Sequence, residues 1–307
     1  MLITREAIAL KIETTQGTDA VPSPSADAIL ISEVNISNEG LKMIDRPLIK
    51  PSISTEKKIF AGTLKKITFK AEIKGSGAAG TAPELGQALR ACGMGEIIVA
   101  STSVTYGPVS TGHEPCTIYY YQDGRLRKIL GCMGTATINA EAGGLGMVDF
   151  EFTGQDGGLV DANFPVLSYD STVPVPFIGV AFSVGTFNAV INSLSLNFTN
   201  TISTPGNVRN ANGFGDVRIS QRDPNGSIDP EAVLVATKDF EAIWKAGTEM
   251  ALTTGVIGSV AGNRWQLDAN IALRDMSQGE RDQIRVETLP FGCHEQTTDD
   301  EFSISFT

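Results

Sequence analysis

The sequence predicts a mainly β protein made of two related antiparallel β-sandwich or barrel domains, each with one short flanking α-helix. Three observations predict it. Apolar and polar residues alternate along much of the chain, the mark of antiparallel strands with one dry and one polar face. The length of 307 residues exceeds what a single core usually serves, so two domains are expected. Two stretches also follow the same plan. Val148, Phe150 and Phe152 of VDFEFT align with Phe302, Ile304 and Phe306 of FSISFT at an offset of 154; LGQALRACG aligns with FEAIWKAG at 155 falling to 154, and VNIS with LSLN at 160. Two copies are too few for a solenoid and read as a duplicated, fused domain, a building block for a ring. We place the first domain at 1–160, a connector at 161–176 and the second domain at 177–307.

Each element has a local cause. In KKITFKAEIK, Ile67, Phe69, Ala71 and Ile73 alternate with Lys66, Thr68, Lys70 and Glu72. RWQLDANIAL and TATINAEA repeat the pattern around Trp265–Leu273 and Ala136–Ala140. The first helix reads as a capping box, Thr81 to Glu84, with Pro83 early and a glycine stop at Gly93. For the second, Thr237 is the expected N-cap, Asp239 and Glu241 lie in the first turn and Gly247 ends it. Leu85 with Leu89, and Phe240 with Trp244, share one face at i and i+4, so each helix should cover its own sandwich. Gly154–Pro176 lacks periodicity and reads as connecting chain. Gly40–Gly62 reads as a long loop inside the first domain, and loops of that length are usually functional.

Composition narrows the function. The formal charge of −11 argues against a protein that grips nucleic acid but not against one that DNA slides past. No apolar run approaches the ~18 residues of a membrane span. Arg5, Glu6 and Lys11 interrupt the N-terminal apolar positions, unlike a secretory signal, so Cys92, Cys116, Cys132 and Cys293 are expected as free thiols. Gly75-Ser76-Gly77-Ala78-Ala79-Gly80 has the spacing of a dinucleotide loop, but the strand before it carries Lys66 and Lys70 and no βαβ series follows. His113, Cys116, Cys293 and His294 are too poorly spaced for a tetrahedral zinc site. Asp223–Glu231 lacks the glycine and the final glutamate of a calcium loop and reads as a Pro-Asn-Gly turn. No paired carboxylates or catalytic triad emerge, so neither enzyme activity nor a cofactor is expected.

Several segments resemble one family. Glu13–Pro22 (ETTQGTDAVP) with Asp27–Leu30 (DAIL), Gly75–Gly93 (GSGAAGTAPELGQALRACG), Asn210–Gly213 (NANG) and Arg222–Glu231 (RDPNGSIDPE) are similar, in this order, to tail tube (major tail) proteins of long-tailed bacteriophages. The resemblance implies a β-sandwich with a flanking helix, stacked homo-oligomeric rings, and a lumen that conducts DNA as transient cargo. It also implies a tape measure protein inside the growing tube, tail terminator and distal tail proteins at its ends, and a place in the virion tail after assembly in the host bacterial cytoplasm. No membrane partner is implied.

Residue-level expectations follow from this resemblance. Asn139, Glu141, Asp149, Glu151, Gln266, Asp268 and Asn270 are expected to face a negatively charged lumen; the alternative is an outer sheet in bulk water. Met43, Ile44, Arg46, Leu48, Ile49 and Ile53 are expected to contact the next ring; the alternative is a loop packed on its own domain. Duplication of a sixfold ancestor predicts trimers with pseudo-sixfold symmetry, against hexamers with the second domain outside. A soluble two-domain binding module, for carbohydrate or a receptor, is the other functional class. It calls for exposed aromatics, and Tyr119–Tyr121 is the one cluster, partly buried by alternation.

Overall fold

In a computed structural model describing residue 2 and residues 4–307, the described residues form nineteen strands and two helices. The first half contains β1 (Glu6–Ile12), β2 (Ala28–Ile29), β3 (Ile31–Ile44), β4 (Ile59–Glu72), α1 (Gly86–Ala91), β5 (Met94–Val99), β6 (Ser103–Pro108), β7 (Cys116–Gln122), β8 (Arg125–Glu141) and β9 (Met147–Asp161). The second contains β10 (Ser183–Val184), β11 (Ser193–Asn197), β12 (Asn200–Ser203), β13 (Arg218–Arg222), β14 (Asn225–Ile228), α2 (Phe240–Ala246), β15 (Met250–Thr253), β16 (Trp265–Leu273), β17 (Ser277–Arg281), β18 (Ile284–Cys293) and β19 (Phe302–Phe306). The protein is mainly β and antiparallel throughout, as its alternation predicts.

One hydrogen-bonded run crosses both halves in the order β3–β4–β9–β8–β11–β14–β18–β17. The halves repeat each other within it. The pairings β3–β4, β4–β9, β9–β8, β8–β7 and β7–β1 recur as β11–β14, β14–β18, β18–β17, β16–β15 and β15–β10, with β16 and β17 together standing for β8. The counterpart of β9 is therefore β18, which corrects the alignment of VDFEFT with FSISFT. FSISFT is β19, an additional strand between β16 and β6. Through it, the β5–β6 hairpin of the first half joins a sheet of the second, β5–β6–β19–β16–β15–β10. Any core strand that buries every second residue selects the same apolar spacing, and that common demand makes β9 and β19 look alike.

A single large cluster of buried residues spans both halves. Ala71, Val148, Ile138, Leu196, Gly226 and Phe291 form one cross-strand row on its dry face. Gly226 belongs to the segment read from sequence as a turn, yet Asn225–Ile228 is a strand in the middle of the sheet. A Cβ there would lie 2.1 Å from the Ser195 carbonyl and 2.6 Å from the Phe291 ring, so only glycine fits the close approach.

The helices form where predicted but are capped differently. α1 begins after Leu85, whose apolar side chain cannot cap it, and Glu84, outside the helix, is engaged elsewhere: it accepts from the Leu30 amide (3.2 Å) and pairs with buried Lys74 (3.2 Å). Burial raises the Glu84 carboxyl above its ordinary value, against the pull of Lys74. Gly93 does end the helix, at φ +81°. α2 is capped by Asp239, whose carboxylate accepts from the Ala242 amide at 2.8 Å, two residues after the expected Thr237; Gly247 closes it in the left-handed conformation. Leu85 and Leu89 are fully buried, as is Phe240, while Trp244 is half-buried against the core.

The stretch read as connector from Gly154 is strand as far as Asp161, paired to β8. The chain beyond it covers a second cluster: Ala162, Phe164 and Leu167 pack on Ala7, Ala9, Tyr119, Tyr121 and Leu126. Tyr119 and Tyr121 are thereby buried, and Tyr120 lies in the main cluster, where alternation alone buries one side. The buried Glu13 ties β1, β7 and β8 together by accepting from the Gly17 amide (2.6 Å), the Thr117 hydroxyl (2.7 Å) and the Gly131 amide (2.7 Å). Replacing Glu13 by Ala strands these donors and is expected to lower stability by about 3 kcal/mol, read as a lower urea midpoint.

Arg222 fastens the junction between the halves. It donates to Glu301 (2.8 Å), the Val109 carbonyl (2.8 Å) and Asp299. Partial burial works to raise the Asp299 carboxyl, but hydrogen bonds from Ser110 and Arg222 prevail and hold it below its ordinary 3.8. A depressed carboxylate contributes stability above its unfolded value and loses it as pH falls through the folded one. Asp299→Asn is expected to lower the thermal midpoint most at pH 7 and to change it least in acid, where the native carboxyl is itself protonated, so that the fall with decreasing pH flattens.

Candidate assembly surfaces

The eight-stranded run presents a polar face that crosses both halves. Lys70, Asp149, Thr137, Asn197 and Asn225 form one row across it, and Glu72, Met147, Asn139, Ser195 and Ser227 the next. Of the seven residues grouped from sequence, Asn139, Glu141, Asp149 and Glu151 come together here. Asn139 donates to Asp149 (3.0 Å) and accepts from the Ser195 hydroxyl (2.9 Å), and Glu141 accepts from Asn192 (3.3 Å), so the second half completes the surface of the first. Gln266, Asp268 and Asn270 are separated from them. They lie on the part of β16 bonded to β15 and β19, where Gln266 donates to Asp268 (2.8 Å) and Asn270 to the Asp300 carbonyl (3.0 Å). The seven residues thus lie on two separate surfaces of the chain.

The charge of this face is mixed. Lys66 pairs with Glu151 and Lys70 with Glu33, each at 2.5 Å. The hydrogen bond that Lys70 donates to Glu33 raises its ammonium above its ordinary value, so it stays charged at neutral pH. Sequence reasoning credited the face with its carboxylates and omitted these lysines, although they occupy the polar positions of KKITFKAEIK.

The second surface is an arm. Gly40–Ile44 and Ile59–Gly62, read from sequence as loop, are paired strand ends of β3 and β4, and only residues 45–58 form an irregular tip. Met43, Ile44, Leu48, Ile49 and Ile53 are exposed, Ile49 and Ile53 completely. Arg46 lies in the tip, and Lys50 is paired with Glu56 at 2.9 Å. The base of the arm is gripped by the second half: Lys42 sits 3.8 Å above the Phe214 ring, and Gly62, at φ +133°, lies against the Asn212 backbone.

The residues whose types and spacing suggest chemistry make contacts within the fold. Among the described residues, no three of His, Cys, Asp or Glu are placed to hold a metal ion. Gly75 and Gly77, from the glycine-rich motif, spend their amides on Asn263 (3.1 Å) and the Gly262 carbonyl (3.0 Å), a contact between the halves. His113 donates to the Val109 carbonyl at 2.9 Å. All four cysteines are free and buried; burial pushes the Cys92 and Cys116 thiols well up and Cys293 to about 12.

The family model described as phage tail tube protein matches residues 4–293, nearly the whole chain. The chain belongs to the phage tail tube family. It is a structural subunit of a phage tail tube and a component of the virion tail. A search of curated proteins found no match to the chain. In the tail tube protein the arm depends on Gly62: a Cβ there would lie 1.8 Å from the Asn212 carbonyl oxygen. Gly62→Ala is expected to loosen the arm from the 204–217 connection, read as several-fold faster limited proteolysis between residues 45 and 58 with little change in circular dichroism.

Proposed function

We propose that copies of this chain form rings that stack into the tail tube, with the polar face of the eight-stranded run lining a lumen for DNA. The observation that carries this reading is that one polar face runs unbroken through both halves. Asn139, Glu141, Asp149 and Glu151 then face the channel, joined by Lys66 and Lys70, while Gln266, Asp268 and Asn270 lie off it. Anions offset by paired lysines give a wall that neither binds a duplex tightly nor expels it. The arm, with Met43, Ile44, Leu48, Ile49 and Ile53, supplies a contact between copies.

The repeated pairings support reading residues 1–160 and 177–307 as two tube domains joined at 161–176. Because both halves share the same sheet, each chain occupies two positions of the ring, and three chains fill a pseudo-sixfold ring. A hexamer with the second half outside would leave that half's share of the polar face without a role. Burial of Tyr119, Tyr120 and Tyr121 removes the feature that favoured a binding module. Growth around a tape measure protein, closure by terminator and distal tail proteins, and assembly in the bacterial cytoplasm complete the reading.

Negative-stain microscopy of the purified protein is expected to show rings or tubes; featureless monomers at high concentration would overturn the proposal. In assembled particles, Glu151→Lys leaves Lys66 without its partner and adds a cation to the wall. DNA ejection should slow, most at low salt, and an unchanged rate would remove Glu151 from the lumen.

A further inference from the structure

The contacts that join the two halves within a chain leave a matching set unmade on either side of it. In the first half, β8 receives β11 along Thr137–Glu141, with Leu194 opposite Ala140 and Ser195 opposite Asn139. The pairing of β7 with β8 ends at Cys116–Cys132 and that of β15 with β16 at Met250–Ile271, so residue 132 corresponds to residue 271. By that correspondence the receiving stretch of β8 maps onto β17. The counterpart of β11 is the Glu33–Ser37 stretch of β3. Among the described residues β17 pairs only with β18, and β3 only with β4, so each keeps one bare edge. Bare strand edges are unpaired donors and acceptors and a template for another chain.

The arm and its counterpart tell the same story. The β12–β13 hairpin stands between β11 and β14 as the arm stands between β3 and β4. The two tips, residues 45–58 and 204–217, are both 14 residues long and lie at a constant offset of 159. Tip 204–217 folds onto the arm of the first half, with Phe214 against Gly40 and Lys42. Tip 45–58 projects with Ile49 and Ile53 fully exposed. Beside β13, a cleft of about 290 Å³ is lined by Ile219, Ser220, Gln221 and His113.

We propose that the second half of one copy takes the first half of another by these same contacts: β17 pairs antiparallel with β3, and tip 45–58 seats on the β12–β13 hairpin. The proposal rests on the tube reading and specifies its seam. It is head-to-tail, so identical seams close by rotation. Leu289 and Phe291 face the core, so alternation along β18 sets Val286 and its partner Gly279 on the other face and turns Gln278 and Glu280 of β17 to the dry side, while Val34 packs on the core. The register that keeps these faces together therefore sets Val34 opposite Glu280 and Asn35 opposite Gly279. It also places the arm tip within a ring, instead of between rings as the sequence led us to expect.

The buried native cysteines make cross-linking a clean test. Asn35→Cys/Gly279→Cys, treated with a short bis-maleimide, is expected to give a covalent ladder ending at one closed size, with neither single variant linking. Ile53→Cys/Ser220→Cys should link in isolated rings; linking only in stacked tubes would overturn the tip contact. Hydrogen exchange on the unmodified protein provides a readout free of variants: amides of 33–37 and 277–281 should gain at least tenfold protection on assembly. Tubes seen by microscopy without that protection and without the 35–279 link would overturn the seam and leave the tube reading standing. A protein that stays monomeric by sedimentation at all concentrations would overturn both.

Discussion

Everything in this molecule depends on the register between β8 and β11. Side chains on a strand alternate with a period of two, so a slip of one residue there would turn Leu194 and Leu196 to water and Ser193, Ser195 and Asn197 into the core. The dry row from Ala71 to Phe291 would then break at the middle of the chain. Gly226 fixes the register from the other side, since only a residue without a Cβ lets β14 lie this close to Ser195 and Phe291. With the register held, one core serves 307 residues, a size at which chains commonly divide into separate cores.

Alternation made much of the fold legible. β4, the distal part of β8 and β16 show the faces their sequences announce, and both helices end at the glycines marked for them. What sequence missed was set by partners distant along the chain. Pro224-Asn225-Gly226 carries turn residues, yet neighbours on both sides hold it as a central strand. Thr81 and Glu84 have capping spacing, but Lys74 claims the glutamate. Tyr119 and Tyr121 look amphipathic until residues 162–167 cover them. The surface followed the same rule. Alternation identified Asn139, Glu141, Asp149 and Glu151 as polar-facing, but no local signal says that β16 pairs with β19 instead of joining them.

The acidity of the chain gives a poor account of its organised surface. The net charge of −11 is a property of the whole, whereas the polar face sets Lys66 and Lys70 directly against Glu151 and Glu33. Exposed pairs of this kind add little stability. Their effect is to cancel charge locally without making the face apolar. The thiols are equally quiet, because burial stabilises the neutral form and withholds the nucleophilic thiolate.

Carrying two related halves on one chain changes the kinetics of the contact between them. Two separate subunits must meet by diffusion at whatever concentration the cell provides. Residues 162–176 instead hold β11 within reach of β8, at an effective concentration on the order of millimolar for a short tether. That contact forms as part of folding and does not weaken on dilution. Covalent pairing also releases the two copies from the need to be identical. A loop that reaches inward in one half can reach outward in the other, and residues 204–217 and 45–58 have taken those opposite courses. An asymmetry that identical subunits could reach only by adopting two conformations is written here into the sequence.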